Sequence, residues 1–415
     1  MTLVLLAAGG AELLGARPPF QVRTPWWQEV AEVVAGAGVE IDVLRLLHGD
    51  RPAPPGGHVT YLAETAARPA GLSPIGADLS AHPRRAAYAE PGGPAASKSW
   101  AVAALAALGT PGAAAHQQRT WNLSAIWRLD VDGEPVAWLK QVPPFLAHEP
   151  AVLALVGAVT PGLVPPVLAT GAAGRTLLAH VPGVDRYGAD GQLCAGIAAA
   201  FHPVQAHFAE RTTELAAAGV PRPGLDPERF AAVAEPYLST IDGLAALISG
   251  LPRRLADAAA CGLPDTLVHG DLHPGNVRSV DGARPVILDW GDCTIGNPAF
   301  DVLRLTAGLA EPHAAGQGSL GGESASLIEA WAHRWRRTAP GSDPERALEL
   351  LRPVAALRAA AGYADFLGRI EPAEWPYHAA DVPARLTEAV AAAGRARGPR
   401  PSTVMPRSDE RREDP

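Results

Sequence analysis

Ten residues, Val268-His269-Gly270-Asp271-Leu272-His273-Pro274-Gly275-Asn276-Val277, place an acid and an amide five positions apart. A second apolar run, Val286-Ile287-Leu288-Asp289-Trp290, ends on another carboxylate. Transfer of a γ-phosphoryl group asks little covalent help of a protein. It needs in-line positioning and neutralisation of charge by Mg²⁺, and an Asp-x-x-x-x-Asn loop is one way to supply both. Mg²⁺ prefers oxygen ligands, usually one or two carboxylates completed by phosphate oxygens and water. On that chemistry Asp289 is the carboxylate ligand and Asn276 offers a neutral side-chain oxygen. Asp271 accepts the proton of the attacking hydroxyl, and His269 and Pro274 shape the loop. A rival reading makes His269 and His273, with Asp271, the metal site of a hydrolase. Gly270, Pro274 and Gly275 argue against the regular helix that would bring the two histidines onto one face. The plain alternative, a surface turn with ordinary acids, is disfavoured by the apolar strands on both sides.

Lysine usage adds a second signal. Lys98 and Lys140 are the lysines of a chain that otherwise takes its positive charge from arginine. Lys140 falls inside Pro135-Val136-Ala137-Trp138-Leu139-Lys140-Gln141-Val142, a buried strand with a charge inserted. A compact ammonium suits a phosphate contact where a guanidinium would not fit; the competing role is a solubilising lysine on an edge strand. Lys98, in Ser97-Lys98-Ser99, is expected to be a solvated residue near a helix start. Glu149 opens an apolar-periodic segment, Glu149–Val159, and Pro150 fits the first turn of a helix there.

The segment His269–Asn276, the Leu288-Asp289-Trp290 that follows, and Gly296-Asn297-Pro298 leading to Asp301 resemble the aminoglycoside phosphotransferase and choline kinase group, small-molecule kinases with a protein-kinase-like fold. The resemblance is strongest over residues 265–305, extends to about 119–185 and to the C-terminal helices, and does not reach the first ninety. It implies that Lys140 holds the α/β-phosphates of a nucleotide with Glu149 as its partner, and that Asp301 braces the catalytic loop. It also implies ATP, with GTP as the alternative, and Mg²⁺ as cofactors. Residues 119–129 occupy the place of a glycine-rich phosphate loop but contain no G-x-G-x-x-G. Small residues there, Ser124 and Ala125, would let the backbone approach phosphates. A nucleotide hinge falls near residues 177–183.

The 415 residues allow two or three domains. The net charge of −8 disfavours nucleic acid as a partner. Cys194, Cys261 and Cys293 have no metal spacing and suggest a reducing cytoplasm. The apolar start at 3–8 lacks a preceding basic residue and is taken as a strand, not a signal peptide. No run approaches the length of a membrane span.

The expected fold is α+β: a two-lobed protein-kinase-like body, with a small β-rich lobe over 97–185 and a large helical lobe over 186–397, preceded by a small α+β module over 1–90 acting as a cap or regulator. In that module 3–8 and 12–15 form a hairpin turned at Gly9-Gly10, 26–36 a helix, and 39–47 and 58–64 strands. Residues 91–96, Pro-Gly-Gly-Pro-Ala-Ala, are expected to be a linker. Residues 398–415 are expected to be a disordered tail. The expected helices of the second lobe cover 190–217, 226–248, 251–261, 299–310, 323–338, 343–369 and 381–395.

Three functions follow: a kinase of a small hydroxylated molecule (an aminoglycoside, sugar, amino sugar or amino alcohol), a catalytically silent kinase-fold binding protein, and the metal hydrolase. Acceptor contacts are sought among Asp292, Asp365, Glu371, Glu374, Tyr377 and His378. The proline- and aromatic-rich stretch 369–378 either closes over a ligand or is a surface connection pinned by Trp375 and Tyr377.

Overall fold

A computed structural model describes residues 1–10, 12–280, 284–309 and 322–395. The expected tail at 398–415 lies outside them.

The module at the start of the chain is a four-stranded sheet. Strand β1 (Thr2–Ala7) turns at Gly9-Gly10 into antiparallel β2 (Leu13–Ala16), as the apolar pattern and the glycines suggest. Helix α1 (Ala31–Gly36) follows, then β3 (Asp42–Gly49) and β4 (Val59–Thr65), giving the order β2-β1-β4-β3 with β1 and β4 parallel. The sheet buries both faces, so its strands are nearly continuous apolar runs (Leu3-Val4-Leu5-Leu6).

The helix expected at 26–36 forms only over its last six residues. Residues 28–30 instead add backbone pairs to a later strand: Thr120 N–H donates to the Gln28 carbonyl at 3.0 Å and Val30 N–H to the Gln118 carbonyl at 3.0 Å. The expected linker is likewise replaced. Helix α2 (Gly93–Ala107) begins inside it, with Gly92 at φ 79° and Pro94 in the first turn, where a missing N–H costs nothing. Lys98 on α2 is only part-exposed and pairs with Asp42 at 2.8 Å, so it is not a freely solvated residue.

A five-stranded antiparallel sheet follows: β5 (Ala114–Thr120), β6 (Ala125–Val131), β7 (Glu134–Gln141), then helix α3 (Glu149–Val159), β8 (Val167–Gly171) and β9 (Arg175–Ala179), in the order β5-β6-β7-β9-β8. Helix α2 covers one face, packing Ala101 and Leu105 against Trp127, Leu129 and Leu139. Strand β10 (Val184–Asp185) leads into the second lobe.

The second lobe is helical. Helices α4 (Gly191–Ala209), α5 (Thr212–Ala217), α6 (Pro227–Ala234), α7 (Leu244–Ser249) and α8 (Leu251–Ala260) precede four short strands, β11 (Thr266–Val268), β12 (Val277–Ser279), β13 (Val286–Ile287) and β14 (Thr294–Gly296). Helices α9 (Ala299–Ala307), α10 (Gly322–Thr338), α11 (Pro344–Arg369) and α12 (Asp381–Arg395) follow. One apolar core joins them, with Phe201, Trp290, Trp331 and Trp335 fully or nearly buried. Strand β12 pairs with both β10 and β13, and β11 pairs with β14; these two ribbons carry the loop 269–276 and present it to the first lobe.

Candidate active site

Lys140 stands on β7 where that strand faces α3 and the second lobe. Its ammonium lies 2.7–2.8 Å from the Glu149 carboxylate and 2.6 Å from Asp289 Oδ1. Strand, helix and loop are therefore joined at one nitrogen. Glu149 is nearly fully buried, and it also accepts the Trp290 N–H at 2.9 Å, which fixes the residue next to Asp289. Burial alone would lower the Lys140 pKa, but Asp289 and Glu149 together hold it well above the usual lysine value. In turn Lys140 holds the Asp289 carboxyl below its ordinary range.

The loop 269–276 is braced from beneath. Asp301, buried on α9, accepts the N–H groups of His269 and Gly270 at 3.1 Å each and the Gln205 amide at 2.9 Å. Burial pushes its carboxyl up to about 7 against the pull of these donors. Gly270 has φ 89°, and a Cβ there would lie 2.2 Å from the Asp292 carbonyl oxygen, so the loop requires glycine at this turn. His269 is fully buried. Its Nε2 donates to the Leu288 carbonyl at 2.9 Å while Nδ1 accepts the Asp271 N–H at 3.3 Å. With both ring nitrogens committed and burial lowering its pKa, His269 has no lone pair for a metal. The His269–His273 metal pair of the hydrolase reading is thereby removed, and no cluster of three His, Cys, Asp or Glu among the described residues could hold a metal ion alone.

Asp271 keeps 37% of its side-chain surface open to the cleft, and Asp289 keeps 45%. Both lie deep in the molecule yet face its open space. Asn276 donates Nδ2 to the Asp271 carbonyl at 3.0 Å and to its carboxylate at 3.3 Å, leaving Asn276 Oδ1 as the atom available to a cation. His273 Nε2 lies 3.5 Å from the same carboxylate, and Arg304 Nε donates to its other oxygen at 2.7 Å. Burial would raise the Asp271 pKa, but the His273 contact and Arg304 outweigh it and hold the carboxyl well below the usual range. Asp292 is pushed up to about 7 by the surrounding protein and by the charges of Asp289 and Asp271.

Asp271, Asn276, Asp289, Lys140 and Glu149 thus converge on one cleft, with His269 and Asp301 behind the loop. Ser124 lies in the turn 121–124 between β5 and β6. Its hydroxyl accepts the Trp121 indole N–H at 3.0 Å, which leaves its own O–H to donate, beside the backbone of that turn. Most of the candidate acceptor contacts lie elsewhere. Asp365 pairs with Arg229. Glu371, Glu374, Tyr377 and His378 are buried in a seam with the N-terminal sheet and the β5–β6 turn. Sequence reasoning missed Arg304 and Gln205. Arg304 was within reach of it, because a residue three beyond Asp301 on a helix shares its face.

The chain belongs to the phosphotransferase enzyme family, whose model matches residues 136–350, just over half of its length. The fold is the two-lobed, protein-kinase-like α+β arrangement. Solved structures similar to it include a choline/ethanolamine kinase family protein from Mesorhizobium loti (14% identity, TM-score 0.48, 67% of this chain and 87% of that one covered). A macrolide 2'-phosphotransferase from Brachybacterium faecium matches at 17% identity and TM-score 0.47 over 71% of this chain and 97% of that one. A choline kinase from Streptococcus pneumoniae matches at 13% identity and TM-score 0.48, covering 71% and 98%. No curated protein sequence matches the chain. Among the described residues no helix is long and apolar enough to cross a membrane.

Proposed function

We propose that this protein moves the γ-phosphoryl group of ATP, or alternatively GTP, to a hydroxyl of a small molecule such as an aminoglycoside, sugar, amino sugar or amino alcohol. The observation that carries the reading is the single ammonium of Lys140 bridging Glu149 and Asp289, with Asp271 and Asn276 on the adjoining loop. Lys140, oriented by Glu149, meets the nucleotide phosphates. Asp289 and Asn276 Oδ1 suit Mg²⁺, both being oxygen donors and one an ionised carboxylate. When bound, the metal neutralises charge on the phosphates. The backbone of the turn at Ser124 approaches the phosphates from above. Asp271 accepts the hydrogen bond of the acceptor hydroxyl and takes its proton as the new oxygen–phosphorus bond forms and the bond to the nucleotide's bridging oxygen breaks. Its depressed pKa keeps it ionised and able to orient that hydroxyl at neutral pH. The three buried free cysteines agree with a reducing cytoplasm.

The test is mass spectrometry of a pooled panel of aminoglycosides, sugars, amino sugars and amino alcohols, incubated with Mg-ATP and either the parent or Asp271→Asn. A compound should gain one phosphoryl group with the parent, and turnover by the variant should fall by roughly 10²–10⁴, the contribution of a positioned base. Near-normal turnover by the variant would remove Asp271 from that role. A parent that neither makes product nor binds Mg-ATP would favour a silent binding protein.

A further inference from the structure

We infer that Asn122, Tyr377 and His378 are positioning residues: they bolt the turn of the β5–β6 hairpin to the second lobe and so set its height above the nucleotide phosphates. The inference rests on the proposed reading of the cleft as a nucleotide site.

The turn itself is unusual in composition. Trp121-Asn122-Leu123-Ser124 contains no glycine, whereas a loop that must fold down freely over phosphates relies on glycines for backbone freedom. Its place above the cleft follows from register and packing. Ile126, two residues past the turn, pairs directly with Lys140. Leu123 packs on Val142 and Leu146. A Cβ placed on Gly291 would lie 4.0 Å from Leu146 Cβ and 3.9 Å from Asp289 Oδ1, so Leu146 links the turn to the cleft floor.

From the side, the turn is held by the segment 370–378. Asn122 Oδ1 lies 3.0 Å from His378 Nε2, and Asn122 Nδ2 lies 3.4 Å from the Glu374 carbonyl, all of it buried. Because that amide spends its N–H on a carbonyl, its oxygen is the acceptor and His378 Nε2 the donor. Trp121 meets Tyr377 edge-on at 5.8 Å and His378 at 5.4 Å between ring centres.

The N-terminal sheet backs the segment in turn. The Tyr61 hydroxyl, which donates to the Trp27 carbonyl, lies 3.2 Å from that of Tyr377. Arg85 binds Glu371 through Nε and Nη2 at 2.9–3.3 Å, with Arg45 at 3.6 Å. Three parts of the chain far apart in sequence meet at this node. It joins the lobes again, in addition to the covalent connection near residue 184 and the contacts of Lys140 and Glu149 with the loop at Asp289 and Trp290. A turn fixed at both its flanks does not sample open positions, so its backbone is preorganised for phosphates in place of the missing glycines.

The experiment is calorimetry of the full chain with Mg-ATP and, separately, with adenosine. His378→Ala should weaken Mg-ATP binding about 10-fold, since a turn displaced by a fraction of an ångström loses its phosphate contacts. Adenosine, which has no phosphates, should bind as to the parent. His378→Gln, whose amide N–H can reach Asn122, should restore Mg-ATP binding to within about threefold of the parent. If His378→Ala does not fold, Asn122→Ala removes the same bond from the turn and is measured in its place. A folded variant that binds Mg-ATP like the parent, or that loses ATP and adenosine equally, overturns the positioning role. A parent that binds neither compound, and neither Mg-GTP nor guanosine in their place, overturns the nucleotide reading itself.

Discussion

At the scale of single residues, the informative contrast is between Lys140 and Arg304. Both are cations paired with carboxylates of the candidate site, but Lys140 is nearly buried while Arg304 keeps 43% of its side chain exposed. An exposed pair is screened and worth little to stability, whereas removing one partner of a buried pair strands a charge. Lys140→Met should therefore cost about 3–5 kcal/mol in urea unfolding, because Glu149 is left buried without its counter-ion. A second substitution, Glu149→Met, should recover part of that loss. Arg304→Met should be nearly neutral by the same measurement. A Lys140→Met protein that unfolds at the parent's urea concentration would show that the pair contributes nothing to the fold. Residue types alone singled out Lys140, since a lysine in an arginine chain, inside an apolar strand, is anomalous. They could not show that its ammonium reaches two carboxylates, because Asp289 is 149 residues away.

At the scale of elements, local patterns were legible where a segment's own periodicity decides its structure, and misleading where a distant partner does. Helix α3 was bounded at Glu149–Val159 from proline and apolar spacing alone. Residues 26–30 failed because an edge strand offered backbone partners that helical spacing does not reveal. Residues 369–378 failed as an acceptor loop for a similar reason: their carboxylates find arginines in another part of the chain, as Glu371 does with Arg45 and Arg85. Glu374 in that segment has a consequence for pH. Burial first, then the charge of Glu371, pushes its carboxyl from an ordinary 4.5 up to about 8, with Arg45, Arg85 and the Leu46 N–H pulling the other way. A pKa raised on folding means that the folded chain holds a proton the unfolded chain has released. The stability this gives is complete below about 4.5, declines as pH rises, and is lost through about 8. Glu374→Gln keeps the neutral shape and has no proton to lose. In thermal melts it should gain on the parent as pH is raised from 5 to 8.5, a comparison that cancels other groups titrating in the same range, such as Asp301. A gap between the two melting temperatures that stays constant with pH would show that Glu374 does not titrate there.

At the scale of the whole molecule, the question is whether the first eighty-five residues are an appendage or part of the kinase body. The family model begins at residue 136 and so is silent on them. The packing is not. Tyr377 of the second lobe belongs to the same apolar cluster as Trp27, Val43 and Tyr61 of the N-terminal sheet. Gln117 of β5 closes two buried hydrogen bonds of 2.8 Å each with the backbone of Val43 on β3. A domain linked only by a tether would show neither a shared core nor buried bonds across its boundary. Removing residues 1–85 would open Tyr377, Trp121 and Gln117 to water and take both arginines from Glu371. Burying one large aromatic side chain contributes about 1.5–3 kcal/mol, and a folded domain has only about 5–15 kcal/mol in total. A chain starting at residue 86 should therefore melt at least about 10 °C below the full protein and bind Mg-ATP more weakly, because the node that fixes the β5–β6 turn has lost its backing. Differential scanning calorimetry of the two chains decides the matter. If the shortened chain melts within a few degrees of the full one and binds Mg-ATP equally well, the N-terminal sheet is an independent attachment, and the β5–β6 turn is held by the segment 370–378 alone.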